Sequence, residues 1–417
     1  MILSGNSGTW IDDFILRLRQ SDLDLNFLAD HEDAISAFRD SCHATQSSGA
    51  LAGKIIGLKD NIAMAGVRTG AGMFARRHHF AQQDSHIVQR LKKAGALLLP
   101  RLNMDEAAFG ATTANPHYQT TINPLQADHT AGGSSGGSAA VVAADIVSAA
   151  FGTDTLGSVR IPASYCGIAG FKPSHQLIDL EGVFPLHPGF DTLGILAKNV
   201  KDISKTLAGC GYLDMSQGQS HNGDLSGVRF ALPRQIDDVE CSAAVRDGFE
   251  RARRCLIDAG AILTDVDLVG WVPHQLRMAA LLAVEIEASD GLAKWLEGAS
   301  QTLQQALSYG ALASLEKRQK MANQLECACS SLDGLFRDHD FLLMPTTPQQ
   351  AFSHGDTIPH NQADFTCLAN VTGVPSMALP VQHREGLPTS IQIMAPKGHD
   401  PALLETALAL EMQLARN

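Results

Sequence analysis

Thirty residues constrain this chain more than any others: Ala131 to Arg160, AGGSSGGSAAVVAADIVSAAFGTDTLGSVR. Ser134 and Ser158 each sit in a glycine-rich turn, and an Ala/Val-rich run separates them. Glycine permits φ > 0 and lets a ligand approach the main chain closely. A hydroxyl flanked by small residues and free N–H groups suits acyl-transfer chemistry. A solvated Gly/Ser linker fits poorly, because the turns bracket an apolar stretch rather than more low-complexity sequence.

The rest of the chain supplies enough apolar residues to bury such a site. Of 417 residues, 45% are hydrophobic and 18% charged, values ordinary for a globular protein. The formal net charge of −12 argues against a general nucleic-acid binder, which needs a basic surface. The opening MILSGNSGTWIDDFILRL lacks a basic n-region followed by a long apolar segment, so no signal peptide is expected. No run of about 18 apolar residues occurs, so no membrane span is expected either. Eight scattered cysteines without a CxxC pair are expected to be reduced thiols of a cytoplasmic protein, with no metal site.

Periodicity gives the organisation. Residues 10–38 read as one or two surface helices. Lys54 to Leu58 is a short β-rich run ending on Lys59-Asp60-Asn61. Residues 84–95 read as a helix with an Asp84 N-cap and a Gly95 stop, followed by a strand at Ala96 to Leu99. Ala139 to Ala144 reads as a helix start, and Ile146 to Phe151 as a buried strand ending on Gly152-Thr153-Asp154. Helices are expected at 242–259, 279–296, 302–333 and 400–415. Phe341 to Met344, Ser376 to Pro380 and Ser390 to Met394 read as strands, and Met215 to Gly227 as a long surface loop.

Alternating strands and helices point to the α/β class, one large α/β/α domain over 1–417 whose central mixed sheet is covered by helices. Residues 1–45 would form a helical segment packed on it, 50–200 the core with the glycine-rich turns, and 201–417 the remaining sheet and pocket helices.

Several chemistries fail on context. Gly132 to Gly136 fits G-x-S-x-G, but the preceding NPLQADHTA is not the strand a nucleophile elbow follows. The glycine run has no following Lys-Ser/Thr, so it is not a P-loop. His78-His79 has no third ligand spaced near it and reads as a surface pair. Sixteen histidines leave a Ser–His arrangement open by counting, although most lie in polar loops. Lys59, by contrast, ends an apolar strand, at the edge where open α/β sheets place their sites. A surface lysine is the equally weighted alternative there.

Gly57-Leu58-Lys59-Asp60-Asn61-Ile62, Gly132 to Ser138, and the run Gly152 to Ser174 together resemble the amidase signature enzymes. Asn103-Met104-Asp105-Glu106, Phe190-Asp191-Thr192-Leu193-Gly194 and Asn370 to Pro375 match as well, in the same order, so the resemblance spans roughly residues 50 to 415. It implies a Ser–Ser–Lys triad with Ser158 as nucleophile, Ser134 as bridging serine after a cis peptide bond, and Lys59 as base. It also implies an oxyanion hole from the backbone of Thr155-Leu156-Gly157-Ser158, and no cofactor. The family often has glycine where this chain has Leu156, a residue that disfavours φ > 0. Arg160 invites a substrate-carboxylate role, but a brace to Asp154 is the stronger reading. Asp105 and Asp191 read as loop organisers.

The activity this implies is hydrolysis of a small linear amide or acyl-urea. Asn115 to Tyr118 and Phe190 to Gly194 look similar to the carboxybiuret, malonamide and indoleacetamide hydrolases. Pocket walls are expected from residues 75–80, 115–120, 184–190 and 270–310. The expected partner is a small-molecule amide, with a homodimer as the default assembly and a protein partner left open. Two other readings stand beside it: the glutaminase component of a tRNA-dependent amidotransferase, and a non-catalytic binding protein with this fold. A membrane-anchored lipid-amide hydrolase has no span to support it.

Overall fold

In the computed structural model, residues 9–45, 48–214, 224–332, 334–381 and 386–416 are described. The short apolar runs become strands: β1 (Ile55–Lys59), β2 (Leu97–Leu102), β3 (Ala114–Asn115), β4 (Gln119–Thr120), β5 (Ile122–Asn123), β6 (Gln126–Thr130) and β7 (Ala149–Asp154). β8 (Ala169–Lys172), β9 (Thr192–Ala197), β10 (Arg229–Pro233), β11 (Ile262–Val266), β12 (Phe341–Pro345), β13 (Ser376–Val381) and β14 (Thr389–Met394) follow. Ten of them form one mixed sheet in the order β11-β10-β12-β14-β13-β8-β9-β7-β1-β2. β3–β4 and β5–β6 are separate two-stranded pairs.

Both faces of this sheet are buried, as period-two alternation within single strands shows. Ile56 and Leu58 of β1 and Ala149 and Phe151 of β7 join one apolar cluster, whereas Ile55 and Ala150 pack with another. The covering helices are α1 (Thr9–Leu25), α2 (His31–Ala44), α3 (His86–Lys93), α4 (Gly136–Ala143), α5 (Arg160–Tyr165), α6 (Val200–Gly209) and α7 (Ala243–Asp258). They continue with α8 (Pro273–Gly291), α9 (Gln301–Ala311), α10 (Leu315–Ser331), α11 (Leu335–Asp338), α12 (Cys367–Val371) and α13 (Asp400–Leu414). The mixed sheet layered with helices is the α/β architecture expected. None of the described helices is long and apolar enough to cross a membrane.

Several elements differ from the sequence reading, each for a local reason. Gln126–Thr130, inside the NPLQADHTA read as no strand, is β6, paired antiparallel with β5 outside the main sheet. Asp84 does not cap α3: its carboxylate accepts from Ala65 N at 2.8 Å and pairs with Lys92 Nζ at 2.7 Å, leaving Ser85 at the cap position. Ile146 is no strand residue, because its N–H closes the end of α4 by donating to Val141 O. Residues 302–333 are two helices: Ser314 starts α10 by accepting from Lys317 N at 3.3 Å. The helix expected at 279–296 begins earlier, at Pro273 in the first turn, and ends at Gly291. Of the loop expected at Met215 to Gly227, residues 215–223 lie outside the described residues, as do the first eight residues.

Candidate active site

Parallel pairing of β1 with β7 brings Lys59 beside the last residues of β7, at the C-terminal edge of both strands. Lys59 is fully buried. Its Nζ donates to Ser134 Oγ at 2.8 Å and to Thr153 Oγ1 at 2.9 Å. Burial lowers its pKa to about 7, against the opposing pull of Asp105, Asp191 and Asp154. A neutral amine is therefore accessible near neutrality.

Ser134 follows a cis peptide bond from Gly133 and leads into α4. Glycine is required at 133, since a Cβ there would lie 2.1 Å from Asp105 Oδ2 and 2.6 Å from Thr112 N. Asp105 holds this turn through its backbone N–H, which donates to Ser134 O at 3.3 Å. Its carboxylate accepts from Thr112 N, and burial raises its pKa. The Ser158 segment is tied on by the next residue, Ser135 N donating to Ser158 O at 3.2 Å. Ser158 keeps 8% of its surface exposed while Ser134 and Lys59 keep none. Of the three residues it is the least buried.

The loop before Ser158 is organised by two carboxylates. Asp154 accepts from Gly157 N at 2.8 Å and Val159 N at 3.2 Å. Gly157 thus leaves the set of N–H groups expected to face an oxyanion, because its hydrogen is already taken. Among the described residues, no protein acceptor takes the N–H groups of Thr155, Leu156 or Ser158. The positive φ of the turn falls on Gly157 (φ +129), where a Cβ would strike Thr366 Oγ1 at 2.2 Å. Leu156 therefore needs no unusual geometry: its carbonyl accepts from Thr366 Oγ1, and its side chain joins two apolar clusters. Asp191 accepts from Thr155 Oγ1 at 2.6 Å and from the N–H groups of Leu186 and His187. Burial pushes its pKa up to about 6.

Arg160 makes the expected brace to Asp154. It is fully buried and forks over Asp154, Nε to Oδ2 and Nη2 to Oδ1, both at 3.0 Å. It also donates to Gln392 Oε1 at 2.9 Å and Asn370 Oδ1 at 2.7 Å. Burial alone would raise the Asp154 pKa, but Arg160 and Asn370 outweigh it and hold the carboxyl at about 2.

A family model for amidases matches residues 11–404. The chain belongs to the amidase family. The A-type component of the glutamyl-tRNA(Gln) amidotransferase of Thermus thermophilus is 32% identical, the match covering 88% of this chain and 86% of that one. Its counterpart in Halothermothrix orenii is 30% identical over 92% and 91%. Among solved structures, one described as an amidase superposes with a TM-score of 0.83 at 30% identity, covering 97% of this chain and 95% of the other. A protein solved in connection with a vestigial complex and the origins of an s-triazine catabolic enzyme gives 0.84 at 27%, with coverage of 98% and 95%. This chain is thus an amidase-signature enzyme of the class acting on carbon–nitrogen bonds.

Two polar residues of this amidase were not singled out from the sequence. Thr153 Oγ1 accepts from Lys59 Nζ and, at 3.1 Å, from Asn61 Nδ2. Once β1 and β7 are paired, alternation along β7 would have found Thr153. Nothing in its own sequence neighbourhood does.

The Arg160 brace carries a stability prediction. Arg160→Met leaves the Asp154 carboxylate buried without its partner, so unfolding stability is expected to fall by about 3–5 kcal/mol. Urea unfolding followed by fluorescence measures it, and a loss below about 1 kcal/mol would refute the brace, since that is all an exposed pair contributes.

Proposed function

We propose that this amidase hydrolyses a small linear amide or acyl-urea through an acyl-enzyme on Ser158, releasing a carboxylate and ammonia or an amine. Lys59, in its neutral form, takes the proton of Ser134 as Ser134 takes that of Ser158. The Ser158 oxygen then attacks the amide carbon. The oxyanion is received by backbone N–H groups from Thr155, Leu156 and Ser158, each such donor contributing about 2.7–4 kcal/mol to the transition state. Collapse expels the amine, which leaves with the relayed proton, and water then cleaves the ester. The observation that carries this reading is the 2.8 Å bond from buried Lys59 to Ser134, on a turn that is itself hydrogen-bonded to the Ser158 backbone.

The test is an ammonia- and amine-release assay across neutral, acidic, aromatic and acyl-urea amides. Turnover of at least one by the isolated chain is expected. A second reading, the glutaminase component of an amidotransferase, is favoured by curated relatives at 30–32% identity. Glutamine hydrolysis that appears only with a co-purifying larger partner would select it over the first.

A further inference from the structure

Arg76 is a buried guanidinium with no ion-pair partner among the described residues. It ends a 3-10 turn at Phe74–Arg76 and is 5% exposed. The other deeply buried arginines at the sheet edge are neutralised: Arg101 pairs with Asp33 and Asp60, and Arg160 with Asp154. Arg76 instead lies against two rings, its Cζ 4.3 Å from the Phe184 centroid and 4.6 Å from that of Trp295. Its Nη2 donates to Thr69 O at 3.1 Å, while its Nε is buried with no partner. Asp60, the acid whose charge acts on it, is already engaged by Arg101 Nε and Gly72 N. Burial lowers the Arg76 pKa to about 10, the sign of a cation short of compensation.

The location makes this a site rather than an oddity. Phe184 is hydrogen-bonded to Asn61 through its N–H, at 2.8 Å, and through its carbonyl. Asn61 in turn shares Thr153 Oγ1 with Lys59. Phe184 and Trp295 belong to the same apolar cluster as Leu156, two residues before Ser158. Three segments expected from the sequence to wall the pocket, 75–80, 184–190 and 270–310, therefore meet at one guanidinium. Buried charges are ordinarily paired, and guanidinium edges are built for carboxylates. Aromatic contacts hold such a group in place without using its N–H donors.

We propose that Arg76 is a specificity residue that receives a carboxylate carried by the substrate, making this enzyme selective for anionic amides. The inference rests on the amide-hydrolase reading above and names its substrate class. The negative charge of the ligand supplies what the fold omits.

Matched pairs of amides test the assignment: succinamate against butyramide, and glutaramate against valeramide. The wild type is expected to favour one anionic member at least tenfold in kcat/KM. Arg76→Met is expected to shrink that ratio at least tenfold, mainly through KM, and Arg76→Lys to restore part of it. A ratio that is the same in wild type and Arg76→Met overturns the proposal, because loss of packing alone has no reason to distinguish charge. Calorimetric binding of succinamate and glutaramate to Ser158→Ala, with and without Arg76→Met, separates this from the hydrolase reading. Binding that is lost with Arg76 supports the assignment even if no amide is turned over, and binding that is absent or indifferent to Arg76 refutes it.

Discussion

Alanine in place of Ser158 is expected to lower kcat by a factor on the order of 10⁴–10⁶, the range seen when a nucleophile that acts within a unit is removed. Ser158 is the least buried of the three, so in the proposed mechanism the variant removes the attacking oxygen and disturbs little else. Folding should therefore survive. A fluorophosphonate probe should add its mass to the wild type and not to the variant. An adduct that persists on Ser158→Ala would assign the chemistry to another serine, Ser134 being the first to check.

Replacing Lys59 should have the second-largest effect, a loss of about 10²–10⁴-fold, the usual contribution of a positioned base. The sign of the pH dependence follows from its lowered pKa. In the proposed relay Lys59 acts as the neutral amine, so wild-type kcat/KM should fall about tenfold for each pH unit below about 7 and level off above it. Lys59→Ala should lack that limb. Stability follows by linkage. Lysine titrates near 10.5 when unfolded and about 7 here, so between those values the unfolded chain binds more protons. Wild-type stability should thus rise with pH across that window relative to Lys59→Met, and the penalty of the buried charge is complete below about 7. Lys172, also lowered to about 7 by burial, titrates in the same window. The comparison must be between wild type and the Lys59 variant, not a single curve. A limb near 7 that survives in Lys59→Ala would remove Lys59 from the role of base.

Much of the candidate site was legible because it is local. The strand ending on Lys59, and the glycines around Ser134 and Ser158, announce themselves within a few residues. Long-range pairing was not legible. Thr153 meets Lys59 across 94 residues, and no run of sequence records that contact. The fate of the Gly157 N–H was hidden for a different reason: a carboxylate three residues earlier competes for it, and either outcome fits the same letters. Strands β3 to β6 and β8 to β11 and helices α5, α6, α11 and α12 were not singled out, the strands being only two to six residues long. Runs that short and apolar do not separate strand from helix by periodicity. The brace from Arg160 to Asp154 spans six residues and lay within reach of the sequence, but the further partners Asn370 and Gln392 needed the sheet.

Those distant partners bear on when the enzyme becomes competent. Asn370 and Gln392 are made 210 and 232 residues after Arg160, and β13 and β14 enter the middle of the sheet rather than its margin. At ordinary translation speeds of 5–20 residues per second, that interval is roughly 10–45 s. Throughout it the growing chain already holds Lys59, Ser134 and Ser158, while Arg160 still lacks two of its partners. Chain order thus sets an order of assembly: the loop carrying Ser158 is made early, and the Arg160 brace behind it is completed only when the last two strands of the sheet exist.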